Sequence, residues 1–225
     1  MLESLVPLLK AVLVVPATLL PIINPPSTAP VFLATAGTDD ATIARLARQV
    51  AINAFFVLAG SLLVGSYVLE FFGVSLPIVR IGGGLLVATA GWRMLHSGDS
   101  DDADVRDAAS RHTAVPSADT LRARSFYPLT FPLMTGPGTI AASITLGAQI
   151  PGSPILYLAH ATIALVGAAF TAAVIYLSNR YSPWLLARLG PLGTLVMMRL
   201  AAFMLLCIGL DIMWTGWLQL QAQPR

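Results

Sequence analysis

The stretch Pro21-Ile22-Ile23-Asn24-Pro25-Pro26-Ser27-Thr28-Ala29-Pro30 interrupts an apolar run that carries no charge from Ala11 to Thr38. Each proline removes a backbone donor and clashes with the turn before it, and the residue ahead of a proline is pushed out of the helical region. As one straight helix the uncharged run would extend about 42 Å, against about 30 Å for the hydrocarbon core of a bilayer. The excess length and the prolines together imply a membrane segment built from two half-helices with an irregular joint. A related interruption stands at Pro132-Leu133-Met134-Thr135-Gly136-Pro137-Gly138-Thr139.

The composition supports a membrane setting. Hydrophobic residues make up 56% of the 225, charged residues 11%, and the mean hydropathy is +0.77. A soluble domain carries roughly a quarter charged residues. The net charge of +2, with arginines at segment ends, gives no basic face for nucleic acid. Cys207 stands alone in an apolar run, which excludes a disulfide framework and a cysteine metal site. Glu3 beside Lys10 and the prolines of the first run argue against a cleaved signal peptide, so Met1 is expected to remain in the mature chain.

Outward from the first interruption, the pattern predicts six spans. They are expected at about 5–36, 43–72, 76–96, 126–148, 155–178 and 192–218, with a short interfacial helix from Trp184 to Leu189. Asp39 or Thr38 is placed to cap the second span. Residues 97–123, rich in aspartate and arginine, form a solvated linker. The chain thus divides into a first three-helix repeat (1–96), the linker (97–123) and a second three-helix repeat (124–225). An offset of 111 residues lays Pro21, Pro26 and Thr28 on Pro132, Pro137 and Thr139, and one of 119 lays Arg80-Ile81-Gly82-Gly83 on Arg199-Leu200-Ala201-Ala202. Because each repeat has an odd number of spans, the second is inverted. Arg45, Arg48, Arg93, Arg106, Arg111, Arg122, Arg124, Arg180 and Arg188 collect on one side and only Lys10, Arg80 and Arg225 on the other. The positive-inside rule then puts the linker in the cytoplasm and both termini outside.

Inverted repeats with discontinuous helices are the recurring plan of secondary transporters, because irregular backbone survives in hydrocarbon only where it lines a cavity or is buried in protein. A half-helix starting there offers free amides and the positive end of its dipole. Asn24 is expected to cap a half-helix opening at Pro25 or Pro26, with Ser27 and Thr28 offering hydroxyls. In the second half Thr135 is the expected cap, Gly136 ends one half-helix, Pro137 opens the next, Gly138 leaves room for a ligand or backbone, and Thr139 supplies a hydroxyl. Two positive ends facing each other would suit a small solute bearing an anionic group.

These residues resemble a known family. Pro21-Ile22-Ile23-Asn24-Pro25-Pro26 with Ala29-Pro30-Val31-Phe32-Leu33 looks like the first-half signature of the MarC-related membrane proteins, within the LysE-like superfamily. Phe131 to Ile140 is similar to the second-half signature, and Arg80-Ile81-Gly82-Gly83-Gly84-Leu85-Leu86 resembles the start of the third span. The resemblance implies a six-span transporter of neutral amino acids, with glycine and alanine as typical solutes, in the cytoplasmic (inner) membrane. Family members often carry glycine where this chain has Ser27.

Other residues have a common structural role beside a functional one. Asn53 fits interhelical hydrogen bonding as well as ligand contact, and His160 fits a satisfied interior histidine as well as a proton relay. Arg80 and Arg199 lie about one turn inside their spans, where snorkelling is usual. Asp211 or Glu70 is a candidate partner for Arg80, and Asp211 is the carboxylate with most functional interest. Trp92, Trp214 and Trp217 suit interfacial anchoring. No nucleotide loop, zinc motif, nucleophile elbow or paired carboxylate in one span is present, so neither enzyme chemistry, nor a cofactor, nor a metal is expected. The reading is an all-α polytopic membrane protein, helices one and four discontinuous, carrying small neutral amino acids by alternating access with a proton or sodium ion as possible coupling ion. A channel or exporter for another small anionic or amphipathic solute, and a non-transporting scaffold, are the alternatives.

Overall fold

The computed structural model describes residues 2–96, 118–148 and 154–222. Among them the chain is helical, with no strand. Helix α1 (Leu2–Ile23) stops at Asn24 and α2 (Pro25–Ala36) resumes at an angle of 57°. Gly37, at φ 75°, ends α2 and returns its amide to Leu33 O at 2.9 Å. Helix α3 (Asp40–Phe71) opens on Asp39, whose carboxylate accepts from the Thr42 amide at 2.9 Å and the Thr42 hydroxyl at 2.6 Å. Those two bonds, the hydroxyl's first, hold the Asp39 carboxyl below its ordinary range. Gly73, at φ 67°, turns the chain into α4 (Leu76–His96).

The segment 97–117 lies outside the described residues, and the end of the expected linker is helix α5 (Ala118–Arg124). A wide-turn helical segment, Ser125–Met134, follows and leads to α6 (Pro137–Gly147). Residues 149–153, between the fourth and fifth expected spans, also lie outside the description, and α7 (Pro154–Arg180) begins directly after them. Helix α8 (Ser182–Ala222) is divided by Gly190 at φ 65°, ψ 178°, which separates a short opening helix from the long span. That opening helix carries Trp184 with the Arg188 guanidinium 5.3 Å from its ring.

Among the described residues, four helices are long and apolar enough to cross a bilayer: Asp40–Phe71, Leu76–His96, Leu158–Arg180 and Leu192–Ala222. The bent pair α1/α2 raises the number to five. Residues 126–148, expected as one span, form no continuous helix. Pro128 and Pro132 hold Tyr127 and Phe131 in extended backbone, at φ −117° and −119°, as the residue before proline requires.

The core gathers Leu19, Ile23, Phe32, Leu46, Leu58, Leu129, Met134 and Ile175, all essentially inaccessible. Large apolar side chains such as Phe56, Phe170, Leu200 and Phe203 cover the outside. In water such a surface would drive association, whereas a bilayer solvates it. Trp92, Trp214 and Trp217 also face outward.

Helices α4 and α8 run antiparallel in backbone contact. A Cβ at Gly84 would lie 2.5 Å from the Met213 nitrogen and 2.6 Å from Gly209 O, and one at Gly91 would lie 2.5 Å from the Leu206 nitrogen. Small residues permit this closeness, which is how helices associate where no hydrophobic force acts between them. Arg199 closes one end of the pair, its Nη1 donating to the carbonyls of Met94 and Leu95 in the last turn of α4. Where α3 begins and α7 ends, Arg180 grips Asp40 through two bonds of 2.7 and 2.8 Å.

Candidate functional site

The two interrupted elements pack against each other. Helix α1 packs on α6 and on α7, and α2 packs on the wide-turn segment, so each half of one broken element meets a half of the other. They are made differently. Asn24 adopts a left-handed conformation (φ 46°, ψ 61°), its amide donates to Leu20 O at 2.8 Å, and its carbonyl accepts from the Ser27 amide at 3.0 Å and the Ser27 hydroxyl at 2.9 Å. Asparagine tolerates this region better than other side-chain-bearing residues do. Its side chain makes no capping hydrogen bond, so the expected cap is instead a backbone hinge. The reason is local: Pro25 and Pro26 have no N–H for a side-chain cap to receive, and Ser27 N–H already has the Asn24 carbonyl.

In the second half three threonine hydroxyls each donate to the carbonyl five residues earlier. Thr130 Oγ1 donates to Ser125 O at 2.7 Å, Thr135 Oγ1 to Thr130 O at 2.9 Å, and Thr139 Oγ1 to Met134 O at 3.3 Å. These hydroxyls supply donors in a segment whose prolines have none. Thr135 is therefore a rung of that ladder and not the cap of α6. The cap position is Gly136, in extended backbone, where a Cβ would lie 2.7 Å from Pro132 O. Gly138 does not open onto a ligand space: a side chain there would run into Val87 of α4.

Most of the expected site is buried. Thr135 is inaccessible, and Thr139, Thr28 and Ser27 are 3%, 7% and 8% exposed. Pro25 and Gly138 are buried, Pro26 and Gly136 intermediate, and Pro137 faces outward. The packing around the breaks covers these hydroxyls. The chemistry on offer is two-sided. Ser27, Thr28, Thr135 and Thr139 all give their protons to backbone carbonyls, which leaves oxygen lone pairs as acceptors. At α6 the first amide to find a carbonyl is that of Ile140, on Gly136 O at 3.0 Å. Pro137 has no donor, so the Gly138 and Thr139 amides are the free donors of that helix start. The positive end expected of α2 is poorer, since its first two residues lack N–H groups and the third amide is engaged.

The supporting residues are scattered. Asn53 of α3 donates to Ser125 Oγ at 3.2 Å and ties α3 to the start of the wide-turn segment. His160 is half-buried on α7. Asp211 is exposed and forms no pair with Arg80, and Glu70 is likewise exposed. Helical geometry explains the first of these: Gly216 meets Arg80, and Asp211, five residues earlier, points about 140° away. Sequence reasoning passed over Asn179. It is inaccessible, its Nδ2 lies 3.6 Å from Met134 Sδ, and its Oδ1 has no partner, which places a buried amide beside the second break. Its position ahead of Arg180 at the end of an uncharged run suggested only a helix terminus.

Comparison with known proteins agrees with this architecture. The family described as "MarC family integral membrane protein" matches residues 9–220. The UPF0056 membrane protein of Archaeoglobus fulgidus is 30% identical over 200 residues, covering 88% of each chain. The UPF0056 inner membrane proteins MarC of Escherichia coli K12 and Shigella flexneri are each 30% identical over 221 residues, covering 95% of this chain and 96% of theirs. No solved structure gives a significant match. The chain belongs to the MarC family and is a multi-pass integral membrane protein.

Proposed function

We propose that this MarC-family protein is a secondary transporter of small neutral amino acids of the glycine and alanine type, working by alternating access in the cytoplasmic membrane. In this reading six spans form two inverted three-helix repeats, the fourth span being the wide-turn segment joined to α6. The observation that carries it is the pairing of two interrupted elements, α1/α2 and the segment Ser125–Met134 with α6, whose halves pack against one another. Irregular backbone persists in hydrocarbon only where it lines a cavity or is buried in protein, and in this reading the paired breaks line the solute path once the packing around them opens.

The chemistry of the breaks favours a zwitterion. Hydroxyl oxygens of Ser27, Thr28, Thr135 and Thr139 accept from an ammonium group, and the Gly138 and Thr139 amides donate to a carboxylate. The side chains around them are small, which suits glycine and alanine. The inner-membrane relatives support the location, and the arginine bias supports both termini outside and the linker inside. No catalytic step, cofactor or metal enters the mechanism. A proton or sodium gradient supplies any uphill work.

Counterflow in proteoliposomes tests the reading. Vesicles loaded with unlabelled glycine or alanine should accumulate the labelled amino acid transiently and saturably. Flux that does not saturate would replace the transporter with a channel, and no flux across all small neutral amino acids would leave a scaffold.

A further inference from the structure

Arg80 lies in the second turn of α4 and is 8% exposed. Its stem rests on α8, where a Cβ added at Gly216 would come within 2.8 Å of the Arg80 Cβ. Its Nε is buried without a hydrogen-bond partner, and its guanidinium makes no hydrogen bond or ion pair with any described residue. Only the outer nitrogens of the group keep a narrow access to the surroundings, and a largely covered cation left so is costly and is normally paired.

Arg199, its counterpart by sequence offset, shows what is missing. It reaches the final carbonyls of α4, which have no partners within that helix. Arg80 meets α8 at Gly216, before that helix ends at Ala222, where backbone carbonyls still belong to the helical ladder. It also sits near the N-terminus of α4, where the dipole disfavours a cation and favours an anion. Burial, absence of a partner and the dipole all point the same way. The two acids that the sequence offers as partners, Glu70 at the end of α3 and Asp211 on α8, are exposed and form no pair with it.

We propose that Arg80 is the receptor for an anionic oxygen group from outside the chain, a carboxylate or a phosphate, held against the outer edge of the α4–α8 pair at the N-terminal end of α4. The planar guanidinium takes such a group through two parallel bonds. Arg80, Gly83 and Val87 share one helix face by their spacing of three and four. Gly83 abuts Ala141, and Val87 abuts Gly138, both on α6. The anion site is therefore about 10 Å along α4 from the start of α6. If the group is the carboxylate of a transported amino acid, the site is a station on its path, and that version rests on the transport reading. A free phosphate or a phospholipid headgroup would bind there without it.

The test uses the full chain, purified in detergent and stripped of lipid. Thermal unfolding is followed while glycine, inorganic phosphate or phosphatidylglycerol is titrated in, for the native chain and for Arg80→Gln and Arg80→Lys. At least one of the three should raise the native melting temperature saturably, and the one that does identifies the source. Arg80→Gln should weaken that response at least tenfold, and Arg80→Lys, which keeps the charge and loses the fork, several-fold. Without anion, Arg80→Gln should be no less stable than the native chain, a result a purely structural arginine would not give. If Arg80→Gln does not fold, Arg80→Lys carries the comparison, and an undiminished response in it overturns the proposal. So does a native chain that none of the three protects. Protection by phosphate or lipid combined with absent glycine counterflow would keep this site and remove the transport reading.

Discussion

The two interruptions do the same job by different means. In the first, one left-handed residue, Asn24, turns the chain by 57°, and the prolines follow it. In the second, the disturbance is spread over Ser125–Met134, with Pro128 and Pro132 inside it and threonine hydroxyls standing in for missing amides. A single hinge confines the change to one pair of dihedrals. A distributed segment has many, each held by one side-chain bond worth about 1 kcal/mol. The second break is accordingly the part of the site with more ways to rearrange, while the first sets direction.

The largest effect should come from removing the turn that ends the second break. In Gly136→Val the new Cβ meets Pro132 O, and overpacking of this kind costs about 3 kcal/mol at its upper end. Counterflow should disappear and the melting temperature should fall; normal activity in this variant would mean that the break is not part of the path. The first break should respond to backbone preference alone. Asn24→Val should cost about 1–2 kcal/mol because a β-branched residue is forced into the left-handed region, whereas Asn24→Gly should be close to neutral. Thermal unfolding of the pair measures this, and equal losses in both would show that the Asn24 amide matters and not its dihedrals. The smallest effects should distinguish the hydroxyls. Thr130→Val and Thr135→Val should each cost about 1 kcal/mol, and more than their sum when combined, since both act on the Thr130–Thr135 stretch. Ser27→Ala should cost less, because the Asn24 carbonyl keeps the Ser27 amide.

What was legible in advance follows from backbone chemistry. Prolines, the left-handed glycines Gly37 and Gly73, and the Asp39 cap act through their own residues or near neighbours, so α3, α4 and the sites of both breaks could be placed from the order of residues alone. What each break is made of could not. Whether Asn24 caps by its side chain or hinges by its backbone depends on which amides the following prolines leave available. Helix orientation was hidden for another reason. A span that is apolar all round carries no stripe to say which face turns inward, so nothing local revealed that Arg80 is covered, that Asp211 faces out, or that Asn179 is enclosed beside Met134. Those placements come from the glycine contacts between α4 and α8 and from the pairing of the broken elements, which are long-range facts.

The glycine contacts along α4 and α8 have a mechanical consequence. With backbone touching backbone at Gly84, Gly91 and Gly209, the two helices have no side-chain layer between them to slide on. They form a stiff two-stranded beam, and Arg199 latches one end of it. Under the alternating-access proposal, the movement this favours is a tilt of the beam against α6, which it touches at Val87 and Gly138, with no shear within the beam itself.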